Sequence, residues 1–360
     1  VFSSSEGFFI PYICAFYNGH TRLFPMSDKI YRLSDFDFNL PENLIAQQPV
    51  SPRDHAKLLV YDRATATIED RYFYELKDLL APNTTMVLNN SKVEKCRMRF
   101  GKMEVFITNA LNPNTIEAMV NPGRKFKLGN TVILNEQHNL TATVIDIAED
   151  GIRRLAVSPS LEDAAWDKFR LTPLPPYIEQ DESLADEYQT VYAKPLGSKA
   201  APTAGLHFTD ELLAKIGTKH TIAELTLHVG LGTFAPVKEE EIAKHAMHSE
   251  SYHIDEMTAE QLNQAQHITA IGTTSARTLE SAVLEGRHFE ACSGDTELYI
   301  TPGYEYKAVN SLVTNFHLPK STLLMLVSAL MGFDEMHRVY QHAIRNNYRF
   351  YSFGDAMFIK

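Results

Sequence analysis

Residues 56–73, AKLLVYDRATATIEDRYF, alternate apolar and polar positions on both sides of a turn-like centre, which predicts a hairpin. A short helix over 74–80 and a buried strand over 85–90 follow from YELKDLL and TMVLNN. Between about 95 and 158 the runs shorten: RMRFGKMEVFIT, TIEAMV, TVIL, TATVIDIA and DGIRRLAVS are separated by Gly, Pro and Asn. Evenly spaced short strands with that punctuation predict a small antiparallel β-barrel. From 160 onward the texture changes to helices alternating with strands. Helices are expected at 160–170, 183–193, 209–216, 258–267, 275–285, 321–331 and 334–346. Strands are expected at TIAELTLHV, ITAIGT, ELYITP and YRFYSF.

Alternation of that kind indicates an α/β layer. The expected fold is therefore an α/β main body with an inserted small antiparallel β-barrel domain. Residues 26–94 and 159–360 would form the α/β catalytic body, and 95–158 the barrel. The apolar run FFIPYICAFY near the start is too short to span a bilayer and lacks the flanks of a signal peptide. Residues 1–25 are read as a non-native or disordered extension and set aside from the fold. No later segment is long and apolar enough to cross a membrane, so no membrane partner is expected.

Composition narrows the function. The chain has 360 residues and a formal net charge of −11, which argues against a protein that coats nucleic acid nonspecifically. The distribution changes that picture: residues 92–127 carry eight basic residues against three acids, whereas 133–190 carry twelve acids against four bases. A basic patch on an acidic body suits one localised polyanion contact, with Lys92, Arg97, Arg124, Lys125 and Lys127 as the candidate RNA-binding residues. The three cysteines, Cys14, Cys96 and Cys292, form neither a disulfide framework nor a zinc knuckle, which fits a cytoplasmic protein.

Chemistry-bearing residues gather at junctions between strands or loops and helices. In KAAPTAGLHFTDELL, Thr203, Gly205 and His207 stand just before Thr209, the expected helix N-cap. HITAIGTTSARTLESAV presents Thr273, Thr274 and Ser275 where a strand stops at Gly272, then Arg277 and Glu280 on the following helix. Hydroxyls and N–H groups at a helix start make an anion or ribose site, and Arg277 could clamp a carboxylate or phosphate. TLHVGLGTF ends a strand at His228, and Gly230, Gly232 and Thr233 let the backbone approach a ligand. No third glycine follows, which excludes a dinucleotide fingerprint.

KHAMHSESYH invites a metal reading through His245, His248 and His253. Its spacing and the lack of cysteine argue against one, so no metal is expected and His248 and Glu250 are read as substrate contacts on a loop. Asn315, His317 and Lys320 cluster ahead of an apolar helix. YRFYSFGDAM breaks at Gly354 and Asp355 and forms either an inner strand or a wall for a flat base.

Taken together, DFDFNLPENLIAQQP, PLPPYI, YQTVYAKPLGSKAAPTAGLHFT, LHVGLGTFAPV, HAMHSE, GTTSARTLES, TNFHLPKSTLLMLVSA and YRFYSFGDAM resemble the S-adenosylmethionine:tRNA ribosyltransferase-isomerase family of queuosine biosynthesis. The resemblance runs in order from about Leu33 to Ile359. It implies an α/β body with an inserted barrel, a monomer, and no cofactor beyond S-adenosylmethionine as co-substrate. The implied reaction moves the ribosyl part of S-adenosylmethionine onto the aminomethyl group of a 7-deazaguanine at the tRNA wobble position. Epoxyqueuosine-tRNA, adenine and methionine result. In that chemistry the sulfonium acidifies the ribose C5′–H, adenine leaves, the amine attacks, and an epoxide closes as methionine departs.

On this resemblance His228 or His207 would be the base and His317 the group that protonates adenine. Thr273, Thr274 and Ser275 would hold ribose hydroxyls, and Arg277 a methionine carboxylate or an RNA phosphate. One stretch departs from the family pattern: where members read N-x-T-R-V-I-P-A-R-L, this chain reads NNSKVEKCRM over 89–98. The resemblance thus supports S-adenosylmethionine use more directly than the acceptor. The competing expectations are a paralogue acting on another RNA acceptor and a non-catalytic RNA-binding relative.

Overall fold

The structure is a computed structural model that describes residues 12–17, 20–25, 30–179, 181–230, 232 and 237–360. Of the extension expected over 1–25, only strands β1 (Tyr12–Tyr17) and β2 (His20–Pro25) are described, paired as an antiparallel hairpin; the rest lies outside the described residues. The chain continues through β3 (Lys57–Asp62), β4 (Thr67–Tyr72), α1 (Leu76–Leu79), β5 (Thr84–Asn89) and β6 (Lys92–Val93). Next come β7 (Arg97–Phe100), β8 (Met103–Asn112), β9 (Thr115–Asn121), β10 (Thr131–Asn135), β11 (Leu140–Ile147), β12 (Arg153–Ser158) and β13 (Arg170–Leu171). The remainder is β14 (Leu196–Ser198), α2 (Asp210–Gly217), β15 (Thr221–Leu227), β16 (Glu250–Ile254), α3 (Glu256–Gln264), β17 (His267–Ile271) and α4 (Gly272–Ala282). It closes with β18 (Cys292–Thr296), β19 (Ser311–Asn315), α5 (Thr322–Met331), α6 (Phe333–Arg345) and β20 (Ala356–Ile359).

The body is built on one sheet in the order β18-β16-β15-β5-β17-β19-β20-β3-β4. Its centre is parallel: β15, β5, β17 and β19 run together, and β20 runs against β19 but with β3. Because successive side chains of a strand face opposite ways, the sheet feeds two cores. Leu59, Tyr61, Val87, Leu312 and Met357 pack with α3 to α6 on one face. Leu58, Val60, Met86, Leu88 and Phe358 pack with α1 and α2 on the other. Each fully buried side chain of this kind contributes about 1.5–3 kcal/mol.

Between β6 and β14 the chain leaves the body to form the seven-stranded antiparallel sheet β10-β11-β12-β9-β8-β7-β13. This sheet curls round its own core, in which Trp166 is fully buried and donates its indole N–H to the carbonyls of Pro159 and Ser160 at 3.2 and 3.0 Å. The expected fold class, an α/β body carrying an inserted antiparallel barrel-like sheet, is what the molecule shows. The edge strands β10 and β13 are not paired to each other, so the sheet is an open half-barrel.

Four expected elements are replaced. The 160–170 helix is a 3-10 helix over Ala164–Phe169, and of the 183–193 helix only a 3-10 turn over Glu182–Leu184 forms. ELYITP is irregular, the strand falling instead on Cys292–Thr296, which pairs with β16. YRFYSF is likewise not a strand: Tyr351 has φ 72°, a left-handed conformation that ends any extended run, and β20 begins after it.

Candidate active site

At the carboxyl ends of β17 and β19 the central sheet opens into a cleft. That is where parallel α/β sheets place ligands. Four sequence-distant segments meet there: the turn at 200–204, the start of α4 at 272–274, the loop at 314–318, and Tyr351–Ser352.

Each wall has a local cause. Gly272 takes φ +85°, so β17 passes into α4 without an intervening loop. No side chain caps this eleven-residue helix, and its first N–H groups and partial positive charge stand at the cleft. Thr273 and Thr274 line the cleft, and the buried Thr274 hydroxyl has no partner among the described residues. Asn315 ends β19. Its carbonyl oxygen accepts from the Thr203 hydroxyl at 2.8 Å, and its amide donates to the Tyr351 carbonyl at 3.2 Å and toward His207 Nε2 at 3.3 Å.

The three candidate histidines separate. His317 lines the cleft, with Nε2 2.9 Å from the Thr314 hydroxyl and its backbone N–H donated to Tyr340 Oη at 3.0 Å. Burial lowers its pKa to about 3, so the ring is neutral at pH 7. His207 sits one layer behind, against Asn315 and the ring of Phe73. Burial, reinforced by Arg349 and Arg53, lowers its pKa to about 3 as well. His228 is not a cleft residue, although its neighbour Val229 is. It packs against Gly197, where an added Cβ would come within 3.1 Å of the ring, and its Nδ1 is buried without a partner among the described residues. Burial and Lys199 lower its pKa. Lys199 is itself pushed down to about 8 by burial and pairs with Glu94.

The other expected contacts fall into two groups. Gly230, Gly232, His248, Glu250 and Arg277 gather beside β15 and β16. There the Gly230 N–H donates to Glu250 at 2.9 Å, the His248 ring lies against Gly232, and Arg277 forms a buried ion pair with Glu250. Glu250 is thus on a strand, not the expected loop. Thr233 lies outside the described residues.

The second group is occupied within the fold. Ser275 is fully buried and donates to the Ile271 carbonyl at 2.8 Å. Glu280 accepts from the N–H groups of Lys307, Ala308 and Val309 at 2.9–3.0 Å. Asp355 accepts from the N–H groups of Lys57 and Arg349 at 3.0 and 2.8 Å. Lys320 is an exposed partner of Asp37 at 2.7 Å. Gly205 faces the hydroxyl of Tyr192 so closely that no side chain fits.

Of the aromatic side of the cleft, sequence reading offered the YRFYSF segment as a wall and missed Tyr177 and Tyr188. Tyr177, Tyr188, Tyr351 and Ser352 line it, with the Tyr177 and Ser352 hydroxyls 2.7 Å apart. The motifs PLPPYI, YQTVYA and YRFYSF carried that signal.

Among the basic residues, Lys92 lines a groove between the half-barrel and the 185–196 segment, and Arg124, Lys125 and Lys127 are exposed on the turn after β9. Arg97 is engaged otherwise, donating to the Leu174 carbonyl at 3.2 Å and pairing with Glu104 at 3.4 Å. His245 pairs with Glu239 and His253 with Ser293, and among the described residues no group of three or more His, Cys, Asp or Glu side chains could hold a metal ion. No helix among those residues is long and apolar enough to cross a membrane.

Residues 33–359 match the model of a family described as queuosine biosynthesis protein. The S-adenosylmethionine:tRNA ribosyltransferase-isomerase of Desulfitobacterium hafniense (strain DSM 10664 / DCB-2) is 45% identical over 340 residues, covering 91% of this chain and 99% of that protein. The crystal structure of S-adenosylmethionine tRNA ribosyltransferase from Thermotoga maritima, 37% identical, covers 91% of this chain and 100% of its own with a TM-score of 0.53.

Proposed function

Since this chain belongs to the S-adenosylmethionine:tRNA ribosyltransferase-isomerase family of queuosine biosynthesis proteins, we propose that it transfers and isomerises the ribosyl moiety of S-adenosylmethionine onto 7-aminomethyl-7-deazaguanine at the tRNA wobble position. Epoxyqueuosine-tRNA, adenine and methionine are the products. The observation that carries the reading is the convergence, at one strand-end cleft, of an uncapped helix start, two threonines, a neutral imidazole and an aromatic wall.

S-adenosylmethionine is a long zwitterion with a cationic centre, and the cleft offers complementary ends. The first N–H groups of α4 suit the methionine carboxylate, with Thr273 and Thr274 beside them for hydroxyls. Tyr177 and Tyr351, whose rings lie 4.7 Å apart, offer a π surface to the base and the sulfonium. A charged imidazole next to a sulfonium would be repelled, so a histidine held neutral by burial is compatible with this substrate.

His317 is the cleft group best placed to accept the C5′ proton. Neutral at rest, it cannot protonate adenine beforehand; once it has taken the C5′ proton it is the imidazolium and can pass that proton to the departing adenine. His207 holds Asn315, and through it Thr203 and the Tyr351 backbone, in position. His228 stands outside the cleft, beside Val229, which lines it. Ser275 and Arg277, being bonded within the fold, are supports of α4 in this reading. Lys92, Arg124, Lys125 and Lys127 would meet tRNA phosphates. The reading extends to a cytoplasmic monomer needing no cofactor beyond its co-substrate, supported by the family resemblance and by Cys96 and Cys292, which are free among the described residues.

Adenine release from S-adenosylmethionine, assayed with tRNA bearing the precursor base, with unmodified tRNA and without RNA, tests the proposal. Release with the precursor tRNA alone is expected, and His317→Asn should lower kcat by about 10²-fold or more. No release with that tRNA, or unchanged turnover in the variant, would overturn the function or the role respectively.

A further inference from the structure

Tyr188 is fully buried and borders the cleft, and its hydroxyl, sealed from solvent, has no hydrogen-bond partner among the described residues. Ser352 and the Ala201 backbone are its polar neighbours, but neither meets hydrogen-bond geometry. The Ser352 hydroxyl is already engaged with Tyr177 at 2.7 Å. A second orphan, the Thr274 hydroxyl, lines the same cleft at the start of α4. Buried polar groups left without partners are costly, and nearly all in folded proteins are satisfied. Tyr192 is also an orphan, but it lies in the core beneath the sheet and lines no cleft. Tyr188 and Thr274 are therefore the two orphans, among the described residues, that border the cleft.

We propose that the Tyr188 hydroxyl is a specificity-determining hydrogen-bond contact to the adenosyl group of S-adenosylmethionine, acting with Thr274 across the cleft. The assignment to the adenosyl end follows from placement. Tyr188 belongs to the aromatic side with Tyr177 and Tyr351, where flat rings suit a base, whereas the carboxylate is best met at the start of α4. The inference rests on the cleft being the S-adenosylmethionine site, and its test separates the two.

The apo protein carries the cost of the orphan and the bound state removes it. Tyr188→Phe keeps the ring and deletes the hydroxyl. The unliganded variant should melt at the same temperature as wild type or higher, which a structural hydroxyl would not allow. In steady-state adenine release with precursor tRNA, its KM for S-adenosylmethionine should rise on the order of tenfold while the KM for tRNA stays put. Inhibition by adenosine should weaken by the same factor and inhibition by methionine should not. Thr274→Val should raise the same KM, which guards against an idiosyncrasy of one variant.

A lower melting temperature with unchanged KM for S-adenosylmethionine would make Tyr188 a structural residue and overturn the inference. Weakened inhibition by methionine instead of adenosine would overturn it too. In both cases wild-type turnover on precursor tRNA would leave the function standing. Absence of that turnover would remove the premise itself.

Discussion

Arg277 can be separated cleanly into a binding or a structural residue. Its side chain is 6% exposed and that of Glu250 4%, and the two form an ion pair. The guanidinium also donates to the carbonyls of Leu298 at 3.1 Å and Thr296 at 3.5 Å, and Glu250 accepts from the Gly230 N–H at 2.9 Å. Arg277→Met removes every one of these donors from the arginine side and leaves a buried carboxylate without its cation. Breaking a buried pair in this way costs about 3–5 kcal/mol, and at about 2 °C per kcal/mol for a chain of this length the melting temperature should fall by roughly 8 °C. Adding Glu250→Gln removes the stranded charge while keeping an acceptor for Gly230, and should restore about half of the loss. Thermal melts and urea titrations of the two variants measure both steps. An Arg277→Met protein that melts within about 1 °C of wild type, yet shows a KM for S-adenosylmethionine raised tenfold, would refute the structural assignment and return Arg277 to the role of carboxylate clamp.

Two further outcomes are expected. His207 and His317 titrate natively near 3 against an ordinary value of 6.5, so below about 6.5 the unfolded chain takes up protons that the native one refuses. Stability should therefore fall as pH drops from about 6.5 toward 3, by about 1.4 kcal/mol per pH unit for each ring, and His317→Asn should remove one proton's worth of that slope in urea titrations between about pH 6 and 4. Neutralising Lys92, Arg124, Lys125 and Lys127 together should lower the slope of log tRNA affinity against log salt by about 0.7–0.9 for each phosphate that the variant no longer neutralises, measured by filter binding; an unchanged slope would exclude the patch as the RNA footprint.

Much of the body was legible because its patterns are local. The alternation in AKLLVYD and DRYF placed the β3–β4 hairpin within a residue or two, and the caps Thr209 and Ser321 marked the starts of α2 and α5 correctly. The failures have tertiary causes. Tyr188 and Tyr192 are four residues apart and mimic one face of a helix, but they belong to different cores, so the 183–193 segment is not helical. The short run AMFI at 356–359 is buried on both faces and offers no alternation to read, whereas YRFYSF offers aromatic strand formers and is broken by the left-handed Tyr351.

The site was half legible for a geometric reason. Thr273, Thr274 and Ser275 look equivalent in sequence, yet consecutive residues of an α-helix point about 100° apart. Three in a row cannot share a face, so once Thr273 and Thr274 line the cleft the third must turn away, and Ser275 does so by bonding back to Ile271. The histidines obey the same constraint at larger scale. A sequence can show that His207, His228 and His317 each stand at a junction, but only the strand order decides which junctions adjoin. The Gly272 and His317 junctions follow β17 and β19, which are neighbours in the sheet, and they share the cleft. The His228 junction follows β15, two places from β17 with β5 between them, and its ring stays outside. In the proposed assignment the base belongs to the β19 junction and not to the β15 junction, and a His228→Ala variant that keeps its kcat while His317→Asn loses it would be the kinetic form of that strand order.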